Sequence, residues 1–329
     1  MNPLRIGTDC SGIEAPVMAL QLLKIPHRHV FSTEIDPHAR QSIRANYSPE
    51  IEYTDLFDRN VNTLPDMDIY VCGFPCQSFS TVNAAGQAGF AQKHNKGIVF
   101  FKCYDVICIK QPVIFILENV KNIVSHDKGH TFKVIQSYLD SLDDLYLIQH
   151  KVLNAKEYDG GLQNRQRLYI VGVRRDHLVT NYDQATGLFP PQPHLPNVPI
   201  KSVFLNDAYP DTTLTQHKMQ LLQELQAKGF NLDDDLIVNL NVSGGSSGFQ
   251  VHAMPDCCPC LLANSTFYIT SKQRNMRARE ALRIQGFPDT FKQVVSERQM
   301  LKQVGNSMCI PILKALFIHL FRIAVVQSL

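Results

Sequence analysis

The chain has 329 residues, 44% of them hydrophobic and 19% charged, with a formal net charge of +2. That apolar content suits one large domain or two modest ones with real cores, and it excludes a disordered chain. A near-neutral balance neither demands nor rules out a polyanionic partner, because a basic face can sit on a near-neutral protein.

In the first half, short β-rich runs alternate with helical stretches. Arg5 to Cys10 reads as a strand and Pro16 to Lys24 as a helix. His29 to Thr33 is a strand, and Pro37 to Tyr47 is a helix with Pro at its first turn. Asp68 to Cys72 is a strand, followed by a helix from Ile98 to Ile109 with Phe100, Phe101, Tyr104, Ile107 and Cys108 on one face. Val113 to Leu117 is a continuous apolar run, as expected for a strand buried on both faces, and Leu168 to Val173 is another. This alternation predicts an α/β fold with a doubly wound, mostly parallel sheet, whose ligands bind beyond the carboxyl ends of the strands.

The texture changes after about residue 188. Five prolines crowd Pro190 to Pro199, followed by the acidic Asp233-Asp234-Asp235 and the run Ser243-Gly244-Gly245-Ser246-Ser247-Gly248. These features predict a first domain of residues 1–188 and 304–329 and a smaller, loop-rich domain of residues 189–303. No Arg occurs between His177 and Lys272, so any phosphate contacts are expected from the flanks: Arg165, Arg167, Arg174 and Arg175 on one side, and Lys272, Arg274, Arg277, Arg279 and Arg283 on the other. The apolar C-terminus from Met308 is interrupted by Pro311, Lys314, His319 and Arg322, so it reads as a docked amphipathic helix rather than a membrane span. Nine Cys, an odd number, and no secretory apolar region point to reduced thiols in an intracellular protein. The cluster Cys257, Cys258 and Cys260 lacks the fourth ligand and paired spacing of a zinc site, so no metal is expected.

Five constellations carry chemistry. Cys76, on a turn just past a strand, is either an inert core thiol or an exposed nucleophile. Glu118, at the end of an apolar run, is either a helix-capping acid or a functional carboxylate. Arg165 and Arg167 alternate along a strand and so share a face, as a solvated edge or an anion site. Asp9 to Ala15 is a strand–Gly12–helix turn of the cofactor-binding kind. Two acids reinforce it: Glu34 ends a strand, where a carboxylate can hold ribose hydroxyls, and Asp55 is placed to accept from an adenine amino group. Gln303 to Ser307, before the last helix, is a loop and helix cap on its own terms.

Taken in order, these pieces resemble the cytosine-5 DNA methyltransferase family, of the compact bacterial or viral restriction-modification type. Gly-Phe-Pro-Cys-Gln-Ser-Phe-Ser at 73 to 80 looks like its nucleophile motif, and Glu118-Asn119-Val120 like its second catalytic motif. Gln163, Arg165 and Arg167 fit its Gln-x-Arg-x-Arg pattern. Arg279-Glu280-Ala281 through Gln285-Gly286-Phe287-Pro288-Asp289 is similar to the motif supporting its recognition domain, and Gly305-Asn306-Ser307 to its last motif.

The resemblance implies a sheet of the S-adenosylmethionine-dependent methyltransferase type and makes residues 189–303 a target-recognition domain. Cys76 would add to carbon 6 of a flipped-out cytosine, and Glu118 would bond ring nitrogen 3. Arg165, with Arg167 beside it, would hold the cytosine carbonyl oxygen. S-adenosylmethionine would lie along Gly12, Glu34, Ile35, Asp55, Gly73, Phe74, Asn306 and Ser307. Residues Ser78 to Lys96 would close over double-stranded DNA. A monomer, a cognate restriction endonuclease in the same system and no membrane partner are further expectations, with cytoplasm, nucleoid or a virus-infected host cell as the location. The sequence departs from the family at Cys10, where an aromatic is usual, and at Glu14 and Ala15, where glycines are usual. Two other readings are a transfer-RNA methyltransferase of the same family and a catalytically silent DNA-binding relative. The first is disfavoured by Phe74-Pro75, where that branch has two prolines, and by Pro259-Cys260-Leu261-Leu262 in place of its Cys-Phe-Thr. The second is disfavoured by the intact Cys76, Glu118, Arg165 and Arg167.

Overall fold

A computed structural model of the chain describes residues 3–75, 99–158, 161–191, 198–206, 214–241 and 253–326. It divides into two units, 1–153 with 166–191 and 312–329, and 154–165 with 192–311.

The first unit is built on a seven-stranded sheet. In chain order its elements are β1 (Leu4–Asp9), α1 (Ala15–Leu22), β2 (His27–Thr33), α2 (Pro37–Asn46), β3 (Glu52–Tyr53), β4 (Ile69–Cys72), α3 (Val99–Lys110), β5 (Ile114–Val120), α4 (His130–Asp140) and β6 (Tyr146–Asn154). After the short β7 (Gln163–Asn164) of the second unit comes β8 (Gln166–Arg174). The strand order is β3-β2-β1-β4-β5-β8-β6. Strands β1 to β5 pair in parallel, whereas β8 runs antiparallel to β5. The chain therefore winds outward in both directions from β1 and β4, and the crevice at their carboxyl ends is where such a sheet binds ligands.

Local chemistry explains these elements. Strands β4 and β5 are buried along nearly their whole length, which is why they read as unbroken apolar runs. Helix α2 starts where Asp36 accepts from the His38 and Ala39 backbone N–H groups, with Pro37 in the first turn. Helix α3 buries Val99, Phe100, Cys103, Val106 and Ile107. The face expected from the sequence is rotated, because Phe101 and Tyr104 turn toward Tyr138 of α4, with ring centroids 4.9 and 5.3 Å apart. The sequence reading leaves α4 and β6 unassigned.

The second unit carries α5 (Gln216–Ala227), β9 (Ile237–Asn239), β10 (Cys258–Pro259), β11 (Phe267–Ile269), β12 (Arg274–Asn275), α6 (Ala278–Gln285) and α7 (Glu297–Asn306). Strands β9, β11 and β12 form an antiparallel sheet, and β10 pairs in parallel with β7. Leu221, Leu225, Leu236, Val238 and Tyr268 form its core.

The division differs from the one that composition suggests. Residues 154–165 and 304–311 join the second unit, and the first unit continues to Pro191. The bonds explain this: Gln163 holds Gln285 and Leu261, and Arg165 holds Leu261, Gly305 and Ser307. The last helix, α8 (Ile310–Ile323), buries Leu313, Leu316, Phe317 and Leu320, in keeping with the amphipathic pattern. It docks on the first unit through Val179 N–H to the Ile323 carbonyl (2.9 Å) and a hydrogen bond between His319 Nε2 and the Gly187 carbonyl (3.0 Å). Helices α7 and α8 have 10 and 14 residues and are separate, so each is shorter than a membrane span.

Candidate active site

Six of the expected cofactor residues sit in the first unit, at the carboxyl ends of β1 to β4. Gly12 lies in the turn after β1 with φ +66°, and the space where a side chain would project is open. Its N–H donates to Glu34 Oε2 (3.1 Å), and the Asp36 N–H donates to Glu34 Oε1 (2.9 Å). Each oxygen keeps acceptor capacity for a ribose hydroxyl. Burial pushes the Glu34 carboxyl up to about 7, against the pull of those two backbone bonds. Ile35 is 69% exposed, an apolar surface ready for a flat ring, and Asp55 Oδ1 accepts from the Phe57 N–H (3.0 Å). Gly73 and Phe74 follow β4, with Phe74 buried against Phe100. A carboxylate for a ribose, an acid near an amino group, an exposed aliphatic side chain and an open glycine turn make a donor set that fits S-adenosylmethionine.

Glu14 shows what the departure from glycine does. It has φ +59°, a left-handed conformation that glycine adopts without strain. Its buried carboxylate oxygen Oε1 compensates by accepting from Thr8 Oγ1 (2.8 Å) and Ser32 Oγ (2.6 Å).

Of the catalytic candidates, Glu118 and Arg167 meet at β5 and β8. Strand β5 runs on through Glu118, Asn119 and Val120, so Glu118 lies within the sheet rather than just past it. The antiparallel register sets Glu118 opposite Tyr169 and Val120 opposite Arg167, which puts Arg167 diagonally across from Glu118 on one face. Arg167 Nε stands 3.3 Å from Glu118 Oε1, and both side chains are mostly buried. Asn119 points to the other side and donates from Nδ2 to the Phe74 carbonyl (2.8 Å). That bond ties β5 to the turn leading to position 76. Cys76 itself and the Ser78 to Lys96 segment lie outside the described residues.

Arg165 and Arg167 do not share a face, because the strand breaks between β7 and β8 at Arg165. In the second unit Arg165 is 2% exposed. Its Nη1 donates to the Leu261 carbonyl (2.7 Å) and its Nη2 to the carbonyls of Gly305 (3.1 Å) and Ser307 (2.9 Å). Gly305 is in the last turn of α7, where carbonyls lack helical partners and favour a cation. A side chain at Gly305 would run into the backbone of Leu262 and Ala263 at 2.4 Å, so this approach requires glycine. Gln285 Nε2 adds a bond to the Ser307 carbonyl (2.7 Å). Ser307 is buried in this network, whereas Asn306 is exposed.

The expected phosphate-binding flank needs correction. Arg274 is 1% exposed and forms a two-pronged ion pair with Glu280 (2.9 and 2.7 Å), so it belongs to the core. Arg279 bonds the Phe291 carbonyl and Arg283 pairs with Asp289, while Arg277 is exposed. Arg59 was missed. It is buried and paired to Asp9 at the end of β1, and no motif flagged it because the two are far apart in sequence.

Comparison with known proteins agrees with this architecture. Residues 10–322 match the C-5 cytosine-specific DNA methylase family. The chain is similar to the Type II methyltransferase M.HaeII of Haemophilus aegyptius, 33% identical over 88% of this chain and 84% of that protein. It is also similar to the Type II methyltransferase M.HhaI of Haemophilus parahaemolyticus, 31% identical over 87% and 85%. Among solved structures, the methyltransferase EhMeth of Entamoeba histolytica superposes with a TM-score of 0.69 at 15% identity, covering 98% of this chain and 99% of that one. The S. pombe Dnmt2 methyltransferase gives 0.66 at 16%, again with 98% and 99% coverage, and at such identities the likeness shows the fold alone. The chain thus belongs to the C-5 cytosine-specific DNA methylase family: it is a DNA (cytosine-5-)-methyltransferase whose methyl donor is S-adenosylmethionine.

Proposed function

We propose that the enzyme methylates carbon 5 of a cytosine flipped out of sequence-specific duplex DNA, through a covalent adduct with Cys76. The observation that carries this reading is the Glu118–Arg167 pair, with Asn119 bonded to the carbonyl of Phe74, two residues before Cys76 in the sequence. Carbon 5 of cytosine is too weak a nucleophile to take a methyl group unaided. Addition of the Cys76 thiolate to carbon 6 makes it an enamine carbon, and charge develops toward ring nitrogen 3 and the carbonyl oxygen. Glu118 is placed to hold nitrogen 3, and Arg167 to keep Glu118 oriented and stabilise the oxygen. This gives the guanidinium role to Arg167 rather than Arg165, whose terminal nitrogens already hold three carbonyls. Bound S-adenosylmethionine supplies an electrophilic methyl group. Glu34, Gly12, Ile35 and Asp55 orient it, and loss of the carbon-5 proton and then of Cys76 restores the ring. The base must leave the stack, because neither face of its ring is accessible inside a duplex.

The second unit, with residues 192–311 as its main part, is assigned target reading, and the first unit the chemistry. The relatives matched are Type II methyltransferases, which supports action on DNA within a cell; that the enzyme works as a monomer alongside a cognate endonuclease is part of the same proposal. The testing assay is methyl transfer from labelled cofactor to duplex DNA of diverse sequence and to total transfer RNA, side by side. Label in DNA that is lost in Cys76→Ser supports the reading. Efficient label in RNA with none in DNA overturns it.

A further inference from the structure

Four strand ends carry the residues assigned to the cofactor: Gly12 after β1, Glu34 after β2, Asp55 after β3, and Gly73 with Phe74 after β4. The backbone ladder runs on only one residue past these ends, through Cys10 N–H to the Thr33 carbonyl, Glu34 N–H to the Tyr53 carbonyl and Gly73 N–H to the Asp9 carbonyl. One buried side chain touches three of them and, through Asp9, connects to the fourth. Arg59 comes from the loop that follows Asp55. Its guanidinium bonds both carboxylate oxygens of Asp9, the last residue of β1, and also Thr33 Oγ1, at the last residue of β2. Asp9 Oδ2 in turn accepts from the Tyr70 hydroxyl of β4 (2.6 Å), and the Asp9 carbonyl accepts from the Gly73 N–H (3.3 Å). The rings of Phe31 and Tyr53 lie 5.2 and 5.7 Å from the guanidinium carbon. Both charged side chains are at most 2% exposed.

A buried ion pair of this kind is weak evidence for stability, since apolar residues of similar volume often serve as well. Its geometric content is what distinguishes it. A planar fork on a carboxylate fixes both distance and orientation, which an ammonium group cannot do. We propose that Arg59, through Asp9, is the positioning residue of the cofactor pocket: it sets the relative placement of the four strand ends that hold S-adenosylmethionine. Arg59 does not touch the cofactor; it acts by holding Gly12, Glu34, Asp55 and Gly73 in register. This rests on the cofactor placement proposed above.

The test uses Arg59→Lys, which keeps the charge but loses the fork, and Tyr70→Phe, which removes one bond to Asp9 and leaves the ring. Binding of S-adenosylhomocysteine is measured by calorimetry, with KM for S-adenosylmethionine and kcat on DNA alongside. Arg59→Lys is expected to weaken binding and raise that KM about tenfold, with kcat at saturating cofactor nearly unchanged. A purely structural role would lower the melting temperature and the active fraction while leaving the affinity alone, and that result overturns the proposal. Should Arg59→Lys not fold, Tyr70→Phe decides, with a severalfold loss of affinity expected and an unchanged value contradicting the clamp. Glu34→Ala separates two kinds of failure. If it weakens binding and the clamp variants do not, the clamp is wrong. If neither weakens binding, the pocket itself is misplaced and the proposal falls with it.

Discussion

At the scale of single residues, burial decides what a charged side chain is for. Arg165, Arg167 and Arg274 read alike in sequence, as cations near a nucleic-acid enzyme's motifs. The structure separates them into a carbonyl clamp, a partner of Glu118 and half of a core ion pair. Truncating Arg165 to Ala takes a donor from three carbonyls, of which that of Ser307 keeps its bond from Gln285, so it should destabilise the protein by about 3 kcal/mol, seen as a lower denaturant midpoint. Arg167→Ala leaves the mostly buried Glu118 carboxylate without its cation and should also lower the midpoint, but its folded fraction should lose at least 100-fold in kcat on DNA, about 2.7 kcal/mol of transition-state stabilisation, which folded Arg165→Ala should keep. If the two variants exchange these behaviours, their roles are reversed. Glu34 gives a pH prediction. Its carboxyl sits near 7 in the folded enzyme, above the ordinary glutamate value, so the folded state holds that proton more tightly than the unfolded one. Its contribution to stability is therefore present at low pH and is lost as pH rises through about 7. Cofactor binding runs the other way, because ribose hydroxyls donate to the ionised form. Affinity for S-adenosylhomocysteine should rise about tenfold from pH 6 to pH 8, and Glu34→Gln should flatten the curve. A wild-type profile as flat as that of the variant would contradict this.

At the scale of elements, what was legible in the sequence is what repeats locally. Strands β1, β2, β4, β5 and β8 and helices α1, α2, α3 and α8 follow from apolar runs, Pro placement and helical spacing, with ends shifted by a few residues. The places of the proposed cofactor residues after strands were legible for the same reason, since a Gly or an acid ending an apolar run marks a strand's carboxyl end. Bonds between distant segments were not legible. Arg59 and Asp9 are fifty residues apart, and Gln163 and Gln285 more than a hundred, so no local pattern joins them. Helix α4 has a legible apolar face in Phe132, Ile135 and Leu139, which the sequence reading did not take up. The break of the strand at Arg165 was hidden by a regular alternation of charged residues across β7 and β8. The Arg165 network predicts that Gly305→Ala is damaging although it changes one methyl group. The added carbon meets backbone at 2.4 Å and would push α7 off the Leu262–Ala263 segment. A cost of about 2 kcal/mol or more is expected from thermal melts.

At the scale of the molecule, the chain forms two units that share it unevenly. Residues 154–165 leave the first unit to pair with the second, so the part assigned to target reading is anchored by a motif that sequence reading gives wholly to catalysis. A chimera that moves residues 192–311 alone would break the Gln163–Gln285 and Arg165–Ser307 bonds unless the donor enzyme keeps matching partners. Moving 154–165 together with 192–311 should transfer target choice with a fold that melts as one protein. Retention of the old target by that chimera would contradict the division of labour. The central claim concerns the covalent step, and trapping tests it most directly. Duplex DNA carrying 5-fluorocytosine at the enzyme's target should form, with S-adenosylmethionine, an adduct that survives a denaturing gel, because fluorine cannot leave as the carbon-5 proton does. The account predicts that adduct for the wild-type enzyme, its absence in Cys76→Ser, and a mass increase on the peptide containing Cys76. No adduct from wild-type enzyme that methylates ordinary DNA under the same conditions, or an adduct on another residue, would contradict it.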